Sequence, residues 1–455
     1  MSQLQRDPSQ GHTRNKSSVT RASRPRSSTK GPLGTEEFVA SLIASRSPSD
    51  LLSDPLSSPS TPQPVQLSPA AQPPGRSASS AHPRHAASSP IPQVGEARPK
   101  DFSFLLRPEI YHPLTPLNVP LAFRNSPKKP DPTAPLEQLL ERGHFRAAAI
   151  AAVQELTGSG AGGGVDPQDA DRIFRLLYTR LACLTLIDST PLAAQEVKAL
   201  EDLNNIRTYV DETTGEHLVP WELRVLNVRL QALGFGDPRR AVMSYHELAR
   251  EARDHASKAS ARHDNSAREM WRARLHDLGI RVAGALIEMD DLSGAAHHLS
   301  SLRDRGDGKL SLSKALLWLH LGDAEKARRC ARQCSEDAVD TENIILALCD
   351  MADAEYEAAL EKWQGLKDSL EGDEMVGVNK AVCLLYLGRM HEGREILEGL
   401  VNSGLSSHTL LFNLSTVYEL CTEKNRNLKM KLADRVAGME ESPTGWEKLN
   451  ADFKL

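Results

Sequence analysis

The sequence predicts an all-α protein, an α-solenoid of helical hairpins preceded by a long disordered N-terminal region. Three observations carry that reading. Small residues recur at a nearly fixed step at Ala283, Ala315, Ala347, Ala381 and Ser415, which lie 32, 32, 34 and 34 residues apart. A second small residue follows each of the first four by 12, at Ala295, Ala327, Ala359 and Gly393. The first 100 residues hold 21 Ser and 15 of the 28 Pro but no Trp or Tyr, too little apolar area to offset chain entropy.

Within this Ser/Pro-rich leader (1–100), Thr35 to Arg46 (TEEFVASLIASR) carries Phe38, Val39, Leu42 and Ile43 on one stripe, with Thr35 as a cap. It reads either as a helix that folds onto a partner's groove, with Phe38 and Leu42 as contacts, or as a chance apolar cluster. Ser47, Ser58, Thr61, Ser68, Ser89, Thr115 and Ser126 each precede a proline and suit proline-directed phosphorylation, although so Ser- and Pro-rich a chain yields several such pairs by chance. The first 30 residues carry seven Lys or Arg against one Asp, which fits a solvated tail or a weak patch for anionic lipid.

Residues 101–133 change character. Asp101 to Arg124 (DFSFLLRPEIYHPLTPLNVPLAFR) is too apolar for a free linker, and its prolines argue against a helix. The expectation is an extended arm laid on the solenoid or on a neighbouring subunit, with Phe102 and Phe104 as candidate contacts.

Residues 134–280 carry degenerate hairpins. Leu139 to Leu156 turns at Gly143 and places Ala148 as its small residue; Leu233 to Ala249 turns at Gly236-Asp237 and places Ala241. Gly158 to Gly164 is a flexible joint, since no Gly-Lys-Ser/Thr follows it as a phosphate loop needs. Helices are expected to start at Asp166-Pro167, within His217 to Gln231, and at Met270-Trp271.

Residues 281–440 are regular. Each unit reads as a helix with a small residue, a break, and a second helix with its own small residue; Gly322-Asp323, Gly388, Tyr356 and Asp290-Asp291 mark the breaks. The small residues allow two helices to approach within roughly 8–10 Å. The period of about 34 is that of the tetratricopeptide repeat, and roughly six to seven hairpins fit over about residues 134–440. Such arrays bind proteins. A tail, 441–455, closes the sequence.

Little in the chain points to chemistry. The six Cys show no Cys-x-x-Cys and no His pair stands at ligand spacing, so neither metal nor cofactor is expected and the thiols read as small core residues in a reducing compartment. No nucleophile elbow, zinc-protease or nucleotide motif occurs, which argues against an enzyme. A net charge of −5 gives no pull toward nucleic acid, and no apolar run approaches a membrane span or signal peptide. Glu325-Lys326-Arg328-Arg329 reads as a solvated helix face. Asn379 and Asn413 lie two residues before their small residue, on the side that lines the concave groove of such arrays; the matching positions Ser313 and Ile345, and the missing basic partners, argue against a carboxylate clamp.

Val378 to Gly388 (VNKAVCLLYLG) and Leu410 to Leu420 (LLFNLSTVYEL) resemble the subunit-12 family of the trafficking protein particle (TRAPP) tethering complex, as do Val219 to Arg229 (VPWELRVLNVR) and Trp271 to Leu275 (WRARL). The tail from Trp446 departs from the pattern. The resemblance implies a cytoplasmic, non-catalytic scaffold of ER-to-Golgi vesicle transport and autophagy, peripheral at ER–Golgi intermediate and Golgi membranes. It would bind large peripheral TRAPP subunits and, through them, the core that activates a Rab GTPase. An alternative is an adaptor of another assembly, such as a ubiquitin ligase or a mitotic complex.

Overall fold

The computed structural model describes residues 100–160, 162–302, 309–332, 339–366 and 372–455. Phe38, Leu42 and the rest of the leader lie outside the described residues. Eighteen α-helices are present among the described residues, and the one β feature among them is an isolated bridge between Val210 and His217. The helices are α1 (Leu121–Arg124), α2 (Leu136–Glu141), α3 (Phe145–Thr157), α4 (Ala170–Leu186), α5 (Thr190–Glu196) and α6 (Ile206–Tyr209). There follow α7 (Trp221–Phe235), α8 (Pro238–Ala261), α9 (Asn265–Glu288), α10 (Leu292–Ser301), α11 (Lys309–His320) and α12 (Ala324–Ala331). The last six are α13 (Val339–Ala352), α14 (Tyr356–Gly365), α15 (Glu374–Tyr386), α16 (Met390–Asn402), α17 (His408–Cys421) and α18 (Asn425–Ala437).

The ladder of small residues is the packing axis of the array. Ala283, Ala295, Ala315, Ala327, Ala347, Ala359 and Ser415 are 0% exposed, and Ala381 is 2% exposed. Gly393 shows why bulk is excluded: a β-carbon there would stand 3.0 Å from the carbonyl oxygen of Ala381, its counterpart across the hairpin. From α11 onward each helix packs on its successor, and α9 packs on α11, α11 on α13 and α15 on α17, as expected of stacked hairpins.

The breaks follow the expected chemistry with local corrections. Asp323 accepts the Lys326 amide at 2.9 Å and Asp291 accepts that of Gly294 at 2.8 Å, each capping its helix. Before α14 the left-handed residue is Ala354 (φ 65°) rather than a glycine, and Tyr356 is the first helical residue, not the turn. Helix α4 begins at Ala170, where Asp169 caps it, whereas Asp166 only closes a turn onto Gln168. Helix α7 begins at Trp221, because His217 is held in the bridge; α9 begins at Asn265, capped by Asp264, well before Met270. Helices α8 and α9 run 24 residues each without a break, so this hairpin exceeds the repeat period.

Two further readings change. The arm is not wholly extended: Ser103–Leu106 and Pro108–Ile110 are single 3-10 turns, and α1 forms directly after Pro120, where no later proline stops it. Arg328 is not a solvated surface residue. Its guanidinium reaches Asp353 at 2.5 Å and Asp350 at 3.3 Å on the next hairpin, tying neighbouring repeats together.

The arm docks on its own chain. Phe102 meets Phe174 edge-on with centroids 4.9 Å apart, and its amide donates to the Pro167 carbonyl at 2.9 Å. Farther along, a buried ion pair takes hold of it. Arg180 Nε and Nη2 bind both carboxylate oxygens of Glu196 at 2.9 and 2.6 Å. Arg180 Nη2 also donates to the His112 carbonyl at 2.8 Å, while the His112 amide donates to Glu196 at 2.8 Å.

Ala359→Leu should overpack the α13–α14 hairpin and cost about 1–3 kcal/mol. The expected result is a lower thermal midpoint by circular dichroism, and an unchanged melt would contradict the packing role of the ladder. Glu196→Gln leaves Arg180 as an uncompensated buried charge and should cost on the order of 3 kcal/mol. Accelerated proteolysis between residues 107 and 118 would accompany that loss.

Candidate interaction surface

The two asparagines occupy equivalent places and make equivalent bonds. Asn379 Nδ2 donates to the Met375 carbonyl and Asn413 Nδ2 to the Thr409 carbonyl, each at 2.8 Å and one helical turn back. Asn379 is buried, and its Oδ1 has no hydrogen-bond partner among the described residues. Asn413 is half-buried. Both amides are thus turned onto their own helices. Ser313 is half-buried and Ile345 fully buried, so the structure brings no row of polar side chains together along these positions.

Beside Asn413, one face of α17 is covered by the chain's own tail. His408, Phe412, Thr416 and Glu419 follow one another at helical spacing. Asp452 pairs with His408; Lys454 Nζ lies 5.1 Å from the Phe412 ring centre, 3.3 Å from Thr416 Oγ1, and pairs with Glu419. Lys429 reaches across from α18 to Glu419 at 2.6 Å and to the Lys454 carbonyl at 3.1 Å.

The two aromatic candidates of the arm lie inward. Phe102 is 0% exposed, and Phe104 is half-buried against the same core. Neither offers a free ring to a partner in this conformation. What the arm does instead is join the two ends of the array. Its first half packs on α3 and α4; its second half, through Val119 and Phe123, enters the core formed by α17, α18 and the tail. Phe123 meets Trp446 edge-on at 5.3 Å and lies 6.2 Å from Phe453.

The seam centres on Arg146, at the start of α3. Its Nε binds Glu447 of the tail at 2.6 Å, Nη1 donates to the Thr115 carbonyl at 3.0 Å, and Nη2 to Asn118 Oδ1 at 3.3 Å. One guanidinium therefore holds first hairpin, arm and tail at once. Burial pushes the Glu447 carboxyl up, against the pull of Arg146. Around it, the Trp446 amide donates to the Gly143 carbonyl at 3.1 Å, and the Asn450 amide to the Asn118 carbonyl at 2.8 Å. Gly143 is needed twice over: its φ is +70°, and a β-carbon would lie 2.1 Å from the Ser442 carbonyl oxygen. His144 stacks edge-on against Trp446 and pairs with Glu441 at 3.3 Å; burial holds its imidazole below the ordinary value. Leu117 and Leu121 of the arm and Leu455 of the tail are exposed.

Sequence reasoning missed Arg146, Arg180, Glu196, Trp446 and Phe453. Arg180 left a trace, because it shares its helix face with the apolar Ile173, Leu177 and Leu184, where a charge needs a buried partner. Arg146 left none, since both of its partner segments are remote in sequence.

The remaining titratable groups do not assemble a reactive centre among the described residues. No group of three metal-ligating side chains occurs there. Burial pushes the thiols of Cys183 up to about 12 and of Cys349 and Cys383 to about 11, which keeps them protonated. No described helix is long and apolar enough to cross a membrane.

No protein-family model matches the chain. It is 24% identical over 341 residues to human trafficking protein particle complex subunit 12, a match covering 67% of this chain and 46% of the relative. The mouse protein of the same name is 23% identical over 341 residues, covering 67% of this chain and 43% of the relative. The chain thus matches about half the length of these curated relatives. Among solved structures, a tetratricopeptide repeat protein from Parabacteroides merdae shares 12% identity, covers 58% of this chain and 90% of its own, and has a TM-score of 0.33. The chain is a helical-repeat protein similar to subunit 12 of the trafficking protein particle complex.

Arg146→Ala removes three contacts and leaves Glu447 buried without its cation, a loss on the order of 3 kcal/mol. Hydrogen exchange should rise together in the arm and in residues 441–455 while α13 to α16 keep their protection. If only one of the two segments responded, Arg146 would not be the joint between them.

Proposed function

We propose that this chain is a non-catalytic scaffold subunit of a trafficking protein particle-type tethering complex in ER-to-Golgi vesicle transport and autophagy. In this reading it supports Rab GTPase activation carried out by other subunits, and it reaches membranes only through them. The observation that carries the reading is the match of 341 residues to subunit 12 of the human complex. The architecture supports it physically. A stack of hairpins offers long, rigid surface with few ordering costs, which is what an assembly subunit needs. The arm is committed to the chain's own fold, through Phe102 at one end and Phe123 at the other.

The large peripheral subunits of such a complex are the direct partners in this proposal, and the catalytic core is reached through them. Affinity-tagged full-length chain, purified gently from its own cells, should bring down small core subunits of the tethering complex in stoichiometric amount. A clean purification without them would remove the tethering reading. Nucleotide exchange on a Rab GTPase by the isolated chain should equal the uncatalysed rate, and acceleration would contradict the scaffold role.

A further inference from the structure

We infer that Ser126 is a phosphorylation site whose modification unfastens the arm from the end of α18. The inference rests on the seam, not on the tethering reading. Ser126 Oγ donates to the Ala437 carbonyl at 2.9 Å and accepts the Lys128 amide at 3.2 Å. Lys128 Nζ donates to the Met439 carbonyl at 2.8 Å. Ala437 is the last residue of α18, so the Ser126 hydroxyl satisfies a carbonyl that the helix leaves open, and Lys128 one just past its end. The negative end of the helix dipole gathers there; a hydroxyl and an ammonium suit it, and an anion does not.

The local sequence is Ser126-Pro127-Lys128-Lys129. A serine followed by a proline and two cations is the substrate chemistry of a proline-directed kinase. The segment is a loop between α1 and α2 in which Pro127 and Lys129 are exposed and Ser126 is half-exposed. Thr115-Pro116, Thr190-Pro191 and Ser442-Pro443 are the further such pairs among the described residues, none of them followed by two cations; Thr115 engages the seam through its carbonyl, which takes Arg146. A phosphate on the Thr115 hydroxyl would leave that bond in place.

The kinase transfers the γ-phosphoryl group of ATP to Ser126 Oγ. The bond from Pγ to the ADP oxygen breaks, the Oγ–P bond forms, and the hydroxyl proton passes to the kinase's base. The product carries roughly −1.5 to −2 charge and no donor. The Ala437 carbonyl then faces an anion in place of a hydroxyl. Lys128 gains a partner stronger than the Met439 carbonyl, and Lys129 joins it. Arg435, the cation in the last turn of α18, is already engaged with Asn402. Both bonds from the arm to the end of α18 are therefore lost together. Ser126 stands two residues beyond α1, so the displacement pulls Phe123 from its seat between Trp446 and Phe453.

The test uses the full chain with phosphoserine installed at position 126, compared with unmodified chain and Ser126→Ala by hydrogen-exchange mass spectrometry. Phosphorylation should speed exchange about tenfold or more in peptides 119–126 and 446–455, with helix content by circular dichroism unchanged. Ser126→Ala, which loses the hydrogen bond without gaining charge, should change the same peptides by less than about threefold. A proline-directed kinase with ATP should modify Ser126 in the folded chain and should not modify Ser126→Ala at that peptide. Unchanged exchange in the phosphorylated chain, or loss of helix throughout it, would overturn the proposal. So would a kinase that takes Thr115 and leaves Ser126 untouched.

Discussion

The structure depends on one junction, where Arg146 binds the tail through Glu447 and the arm through the Thr115 carbonyl and Asn118. A solenoid is held by neighbour-to-neighbour contacts, so its two terminal hairpins each expose an apolar face that something must cover. Here a single segment covers both. The arm seats Phe102, Leu105 and Tyr111 on the first hairpins and Val119 and Phe123 on the last, and the tail adds Trp446 and Phe453. Because arm and tail also bind each other, the two ends of the array cannot part without breaking both caps. Closure thus turns a quasi-linear stack into a cooperative unit, in which the stability of each end depends on the other.

The same closure bears on how the molecule meets partners. The groove positions that the repeat pattern singles out are largely used internally. Asn379 and Asn413 bond their own helices, and Lys454 lies over the adjacent face of α17. A partner that enters this end of the groove must compete with a tail that supplies a cation to Glu419 and a carboxylate to His408. Leu117 and Leu121 of the arm and Leu455 of the tail are exposed, and the Asn450 side-chain amide joins the two segments by donating to the Leu117 carbonyl at 3.5 Å. An array built this way couples what happens at its ends to what its surface presents.

The regular part of the fold was legible because its signal is local. A small residue is needed wherever two helices cross closely, and the crossing recurs each repeat, so Ala283 to Ser415 announce themselves by spacing. Caps such as Asp323 and Asp291 are likewise decided within three residues. Reading went astray where tertiary contacts override local preference. Asp166-Pro167 has the look of a helix start, yet the chain there must first pass its Pro167 carbonyl to Phe102 of the arm. Arg328 sits in a run of charges that resembles a solvated face, but the next hairpin brings Asp350 and Asp353 to it.

By itself, the sequence determined the helical class, the repeat period, the small residues on the packing axis and the family likeness. Each of these is written in spacing or in residues adjacent along the chain. Only the tertiary structure decided that the arm docks on its own chain, that Arg180 and Glu196 form the buried pair that grips it, and that Arg146 closes the array onto Trp446 and the tail. These contacts join residues up to about 300 positions apart, and no period links them. Their energy comes from burial and charge pairing that exist once the stack has curved far enough to bring its ends within reach.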